Sequence, residues 1–198
     1  MNHHVDIYSP ARMNHRDLRA MFKLRYSVFH ERLGWDVQTV DGLERDAFDD
    51  LPQVSYVLAK DPDGAIDACW RLLPTTGPYM LKDIFPELLH GQVAPARPDC
   101  WELSRFAVAT DRVGTSNATF GPMSMALMRQ SAEFALAHDI VRYVTVTTPV
   151  MERMLRQQVA GRHAQRLPQA GLRLWELTQR ALHLSQLLQR GGAAGTQL

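Results

Sequence analysis

Cysteine is scarce in this chain. Cys69 and Cys100 are the only two in 198 residues. They stand far apart, with no Cys-x-x-Cys pair and no histidine at ligand spacing, which excludes a disulfide-stapled secreted scaffold and a zinc module. Both are read as reduced, packed thiols. An excess of either charge is missing too. Lys and Arg number 22 and Asp and Glu 21, a formal net charge of +1, which argues against a polybasic nucleic-acid binder and against an acidic disordered tail. Nowhere do 18 apolar residues run together, and the start Met1 to Asp6 has no basic segment leading into an apolar one, so no membrane partner is expected. The reading is a soluble, cytoplasmic protein. No repeat period is present.

What remains is ordinary globular material, 45% hydrophobic and 22% charged. Its length suits a single domain, expected over 1–190, with the Gly- and Ala-rich end 191–198 disordered. The near-neutral sum hides an uneven distribution. Between Asp36 and Asp67 nine acids face only Arg45 and Lys60, whereas from Met151 to Arg190 seven arginines face Glu152 and Glu176. Solvated faces explain most such runs, but two partners of opposite charge would also produce this asymmetry.

Hydrophobic periodicity predicts a first strand at Val5 to Tyr8, then a helix capped by Asn14 with Leu18, Met21, Phe22, Arg25 and Phe29 on one side. A long acidic loop from Leu33 to Pro52 comes next. Strands are predicted at Val54 to Ala59 and Ala65 to Leu73, joined by Asp61-Pro62-Asp63-Gly64, where Pro presets φ and Gly permits positive φ. A short helix is predicted over Leu81 to Leu89, a linker-like loop over 91–99, and a strand over Glu102 to Ala109. A long helix from about Pro122 to His138, a β-branched strand at Ile140 to Thr147 and a helix at Val150 to Val159 complete the order. The fold class is α/β, a single-domain mixed sheet with helices on both faces.

The informative residues are charges that interrupt apolar segments, because burying an unpaired charge costs several kcal/mol. Arg25 lies in Leu24-Arg25-Tyr26-Ser27-Val28-Phe29, Arg71 in Cys69-Trp70-Arg71-Leu72-Leu73, and Glu102 and Arg105 in Trp101-Glu102-Leu103-Ser104-Arg105-Phe106. Asp46 and Asp49 stand three apart in the acidic loop. From spacing alone two readings stay open: a buried ion-pair scaffold, or a site that needs both signs of charge.

Five ordered blocks resemble one family. They are Leu24-Arg25-Tyr26-x-Val28-Phe29, Leu33-Gly34-Trp35, Glu44-x-Asp46-x-Phe48-Asp49, Arg71 through Leu81 with Pro74-Thr75-Thr76-Gly77-Pro78 inside it, and Trp101-Glu102-Leu103-Ser104-Arg105-Phe106. Together they are similar to the acyl-homoserine lactone synthases, the LuxI-type autoinducer synthases of bacterial quorum sensing, over about Met1 to Arg156. Arg25, Phe29, Trp35, Asp46, Asp49, Arg71, Glu102 and Arg105 fill the eight positions that define that family.

The resemblance implies a fold related to the Gcn5-type N-acetyltransferases. It implies two substrates, S-adenosylmethionine and an acyl chain on acyl carrier protein, with methylthioadenosine released, and neither a cofactor nor a metal. Catalytic roles are implied for Glu102, Arg71, Asp46, Asp49, Arg105 and Arg25. Arg25, Phe29, Trp35, Asp46, Asp49 and Arg105 are implied to bind S-adenosylmethionine, whose sulfonium suits aromatic faces. Because an ammonium is not a nucleophile, a base is needed, and Glu102 is the candidate; an ion pair with Arg105 is its alternative role.

An apolar slot is expected from Met80, Phe106, Met123, Met125, Leu127, Val144, Thr145 and Val146, with ordinary core as the competing reading. The nearest resemblance is to synthases of medium chains such as octanoyl. Arg153 and Arg156 match the family's basic helix and are expected to face the acidic carrier protein. After Arg156 the resemblance fades into a Leu- and Arg-rich segment. Two rivals are an acyl-CoA-dependent Gcn5-type N-acyltransferase and an inactive regulatory homologue. The first is disfavoured because Arg112-Val113-Gly114-Thr115-Ser116-Asn117 holds one glycine where a pyrophosphate nest wants several.

Overall fold

The computed structural model describes residues 3–113 and 121–147. The helix predicted at 150–159, Arg153, Arg156 and the 191–198 tail lie outside them.

Strand β1 (His4–Tyr8) leads through a short 3-10 turn to helix α1 (His15–Arg25). Asn14 caps α1 as its side chain accepts from the Asp17 N–H at 2.8 Å, satisfying one of the orphan donors of the first turn. Met21, Phe22, Leu24 and Arg25 are its buried residues. The helix does not stop there. It widens into a π turn, Tyr26–Arg32, that buries Val28 and Phe29, a form of helix often found at functional sites.

The long acidic loop is more ordered than its composition suggests. It contains a miniature hairpin, β2 (Thr39–Val40) and β3 (Leu43–Glu44), followed by a 3-10 turn at Ala47–Asp50. The hairpin turn is Asp41-Gly42 with φ of +52° and +72°, the left-handed pair that matches the twist of two short strands. Asp46 and Asp49 form a reciprocal capping box around the 3-10 turn.

Strands β4 (Ser55–Lys60), β5 (Ile66–Pro74), β6 (Cys100–Val108) and β7 (Arg142–Thr145) complete one five-stranded sheet in the order β1-β4-β5-β6-β7. The first three pairings are antiparallel and β6 with β7 is parallel. A single helix over 81–89 does not form. Helix α2 covers only Met80–Asp83, and Pro86 opens a separate 3-10 turn, Pro86–Leu89, as a residue without an N–H should. Helices α3 (Thr110–Val113) and α4 (Pro122–Ala137) come after β6.

The sheet separates two apolar clusters. On one face α1 and the π turn bring Met21, Phe22, Leu24, Val28 and Phe29 against Tyr56, Leu58, Cys69 and Leu73. On the other, Met123, Leu127, Met128 and Ala135 of α4 pack on Val57, Ala59, Trp70, Leu72 and Leu103. Helices therefore cover both faces, as the α/β reading requires.

Strand β6 is irregular in two ways. The register with β5 slips between Cys69↔Ala107 and Arg71↔Ser104, so that Arg105 and Phe106 both stand against Trp70, with Arg105 at φ +58°. This is a β-bulge. In addition, β6 pairs with β7 only over Cys100 to Leu103, whereas it stays with β5 as far as Val108.

Candidate active site

Strict alternation along β6 would put Glu102 and Ser104 on the α1 face and send Leu103 and Arg105 to the α4 face. The bulge breaks that phase. Ser104 accepts from Arg71 Nε at 3.1 Å, Arg105 reaches Glu44 and Asp46, and Phe106 takes the α4 face with its ring edge-on to Trp70. Two consecutive residues thus serve the same side of the sheet, and an arginine arrives where a regular strand would deliver none.

Three guanidinium groups and three carboxylates interlock there. Arg25 donates from Nε to Glu44 at 2.5 Å and from Nη1 and Nη2 to the two oxygens of Asp49 at 2.7 and 2.9 Å. Arg71 grips Asp46 with Nη1 and Nη2 at 2.5 and 3.0 Å and also reaches Asp49 at 3.0 Å. Arg105 bridges Glu44 at 2.9 Å and Asp46 at 2.8 Å. The Tyr56 hydroxyl donates to Asp49 at 2.8 Å. Met80 lends its sulfur to Arg71 and Arg105 at 3.1 and 3.4 Å. Bidentate, charge-assisted geometry of this kind can offset the desolvation of buried ions.

The electrostatics result from these contacts. Burial works to raise the Asp49 carboxyl, but Arg25 and Arg71 outweigh it and hold Asp49 far below the ordinary carboxylate range. For Asp46 burial is again outweighed, by Arg71 and Arg105. Burial and then Asp49 raise the Tyr56 hydroxyl, which stays a donor.

Glu102 is treated differently. It is fully buried, yet among the described residues it forms no ion pair; the notional partner Arg105 is committed to Glu44 and Asp46. Its two oxygens accept instead from the Met80 and Leu81 N–H groups at 3.0 and 2.7 Å, at the start of α2. Burial pushes its carboxyl up to about 7, against the pull of those amides and of Arg71 and Arg105. With Arg25, Arg71 and Arg105 balanced by Glu44, Asp46 and Asp49, Glu102 is the surplus carboxylate. A group poised near neutral pH inside a saturated network is suited to move a proton.

Phe29 and Trp35 stack with ring centroids 5.2 Å apart and planes 12° from parallel, and the Arg105 guanidinium lies 5.7 Å from the Phe29 ring centre. All eight family positions therefore converge on the α1 face. The apolar candidates divide. Met80, Val144 and Val146 belong to the α1-side cluster, while Phe106, Met123, Met125 and Leu127 belong to the α4-side cluster; Thr145 is buried at the end of β7. Among the described residues no group of three or more His, Cys, Asp or Glu side chains is arranged to hold a metal ion.

Glu44, Tyr56 and Ser104 were not among the expected site residues. Glu44 was within reach, because Asp41-Gly42 between two short alternating segments is a hairpin signal and places Glu44 at a strand position opposite Thr39. Tyr56 and Ser104 read as ordinary strand residues and carried no signal.

The profile of the autoinducer synthases matches residues 9–186. The chain belongs to the autoinducer synthase family. An acyl-homoserine-lactone synthase of Pseudomonas aeruginosa is 46% identical over 139 residues, covering 70% of this chain and 68% of that protein. The crystal structure of the synthase LasI superposes with a TM-score of 0.72 at 42% identity, over 79% of this chain and 77% of LasI. BjaI, described as a CoA-dependent acyl-homoserine lactone synthase and solved with SAM and isopentyl-CoA, gives a TM-score of 0.69 at 26% identity, over 79% of this chain and 72% of BjaI. This family member is an enzyme, an acyl-homoserine-lactone synthase, and among its described residues no helix is long and apolar enough to cross a membrane.

Proposed function

We propose that the chain joins an acyl group from acyl carrier protein to the amine of S-adenosylmethionine and closes the product to an N-acyl-L-homoserine lactone, with Glu102 as the general base. The observation that carries this reading is the surplus carboxylate beside a neutralised Arg/Asp/Glu network. S-adenosylmethionine brings a sulfonium and an ammonium, and the stacked pair Phe29 and Trp35 offers an aromatic surface for the cationic end. Ionised Glu102 takes a proton from the ammonium, directly or through one water. The freed amine attacks the thioester carbonyl and the carrier thiol leaves. The homoserine carboxylate oxygen then attacks the carbon next to sulfur; that C–S bond breaks with its electron pair going to sulfur, and neutral methylthioadenosine departs. The sulfonium is already a good leaving group, so the second step asks the protein chiefly to hold a near-attack shape.

The acyl chain enters where β6 and β7 part. Beyond Leu103 and Thr145 the two strands are no longer paired, and a tail threaded through that parting meets Met80, Val144 and Val146 on one side of the sheet and Phe106, Met123, Met125 and Leu127 on the other. This path reconciles a candidate set that the sheet otherwise divides. Medium chains such as octanoyl are the length we assign, and Arg153 and Arg156 the residues facing the carrier protein. Acyl-CoA is the second reading, favoured by the likeness to CoA-dependent BjaI.

The deciding experiment supplies purified protein with S-adenosylmethionine and either octanoyl carrier protein or octanoyl-CoA, following methylthioadenosine release and the lactone by mass spectrometry. Lactone from the carrier-protein reaction at much the higher kcat/KM is expected. Preference for octanoyl-CoA replaces the donor assignment, and no lactone of any length with either donor overturns the function.

A further inference from the structure

We infer that Arg32 is a positioning residue, latching the segment that carries Phe29 and Trp35 to the edge of β6 beyond its pairing with β7 and thereby setting the affinity for S-adenosylmethionine. The inference rests on the proposed binding of S-adenosylmethionine and adds a residue that touches none of the charged or aromatic groups of the site.

Residues 28–35 are tied into one piece. Leu33, Gly34 and Trp35 donate their N–H groups to the carbonyls of Val28, His30 and Phe29 at 3.1, 3.1 and 2.9 Å, so the aromatic pair and Arg32 share one hydrogen-bonded frame. The outer side of that frame, His30 to Gly34, is exposed. Phe29 anchors it in the core, and Trp35 is only partly buried. Among the described residues, Arg32 is the only one between Tyr26 and Leu43 whose side chain hydrogen-bonds outside that stretch. Its Nη1 donates to the Val108 carbonyl at 3.2 Å and to Thr110 Oγ1 at 2.6 Å.

The acceptor explains the placement. Ala109 N–H bonds back to Asp67 on the β5 side, so by antiparallel alternation the Val108 carbonyl points the other way, toward the side on which β7 has already ended. A strand carbonyl without a ladder partner among the described residues needs a donor, and a charged guanidinium makes a stronger bond to it than a neutral donor would. The latch joins residues 76 apart in sequence, bridging the frame over the amine site to the strand that holds Glu102 and Arg105. Without it, the frame keeps its Phe29 anchor but loses its outer tether, and each binding event must restrain it anew.

The test measures S-adenosylmethionine binding by calorimetry and KM and kcat by methylthioadenosine release, for Arg32→Ala, Arg32→Lys, Thr110→Val and the Arg32→Ala/Thr110→Val double variant. For Arg32→Ala the expected result is a Kd and KM for S-adenosylmethionine raised about tenfold, a size suited to one charge-assisted hydrogen bond, with kcat at saturation and melting temperature unchanged. Arg32→Lys recovers part of the loss, and the double variant is no weaker than Arg32→Ala. Equal binding by Arg32→Ala and wild type overturns the latch, as does a fall in kcat and melting temperature shared by the Ala and Lys variants. Absence of S-adenosylmethionine binding by wild type instead overturns the proposed function itself, so the two failures are told apart.

Discussion

Asp49 and Glu102 lie in the same site, both buried, and their neighbourhoods treat a carboxyl group in opposite ways. Asp49 receives four charged or hydroxyl donors from Arg25, Arg71 and Tyr56 and one backbone N–H from Asp46, and its charge is locked in. Glu102 receives only two backbone N–H groups, and burial leaves it near its switching point at about 7. Depth alone therefore does not assign a role. The count of full positive charges in contact separates a carboxylate that holds structure from one that can trade protons, the same sorting by environment that lets paired acids work at one pH.

The contrast is most severely tested on the Asp49 side. Asp49→Asn leaves Arg25 and Arg71 buried with half their neutralisation gone, and unfolding in urea should show a loss of about 3–5 kcal/mol. For Glu102→Gln the expected damage is to rate: turnover falls about a hundred- to a thousandfold, and the rise of kcat/KM with pH through about 7 disappears from the profile. If both variants lose stability alike and the profile keeps its limb, the distinction between them is void.

A stability measurement sharpens the same point. Glu102 has a folded pKa above its unfolded one, so between the ordinary carboxylate range and about 7 the folded chain keeps a proton that the unfolded chain has released. That contribution is intact at low pH and is lost as pH rises through about 7. The stability of Glu102→Gln relative to wild type should accordingly improve by about 3 kcal/mol between pH 5 and pH 8, whereas Asp49→Asn replaces a carboxyl that is ionised in both the folded and the unfolded chain over that range, and its deficit should stay level across the climb. Tyr56→Phe removes one donor of several to Asp49, and about 1 kcal/mol is expected in the same urea titration. Smallest of all, Arg45→Ala deletes the exposed pair with Asp50 and should change stability by less than about 0.5 kcal/mol.

Periodic segments were legible from sequence. The capped α1, the β4–β5 hairpin with Gly64 at φ +82° and the long α4 all express local rules of turn chemistry and hydrophobic spacing. So were the charged members of the site, since an arginine inside Cys69-Trp70-Arg71-Leu72-Leu73 cannot be paired with water and must find ions. The partners were not legible. That Arg105 leaves Glu102 for Glu44 and Asp46 depends on a register slip between two strands, and that Phe106 and Met80 fall on opposite faces depends on where β6 and β7 stop pairing. Both are set by the packing of the whole sheet. The difference over 81–89 was local: Pro86 signalled the break, and the apolar spacing around it concealed it.

The bulge at Arg105 also constrains how this enzyme can be altered. Because it is a phase slip, β6 reads in one frame up to Ser104 and in another from Phe106 onward, and a one-residue insertion or deletion that leaves the bulge in place would exchange the two faces of everything on one side of it. Chain-length engineering that trims or extends β6 therefore scrambles the proposed amine site along with the proposed tail path. The same goal pursued through substitutions on β7 and α4, whose alternation and helical phase are regular, leaves the charged network untouched, and those two elements are the parts of the fold free to diversify.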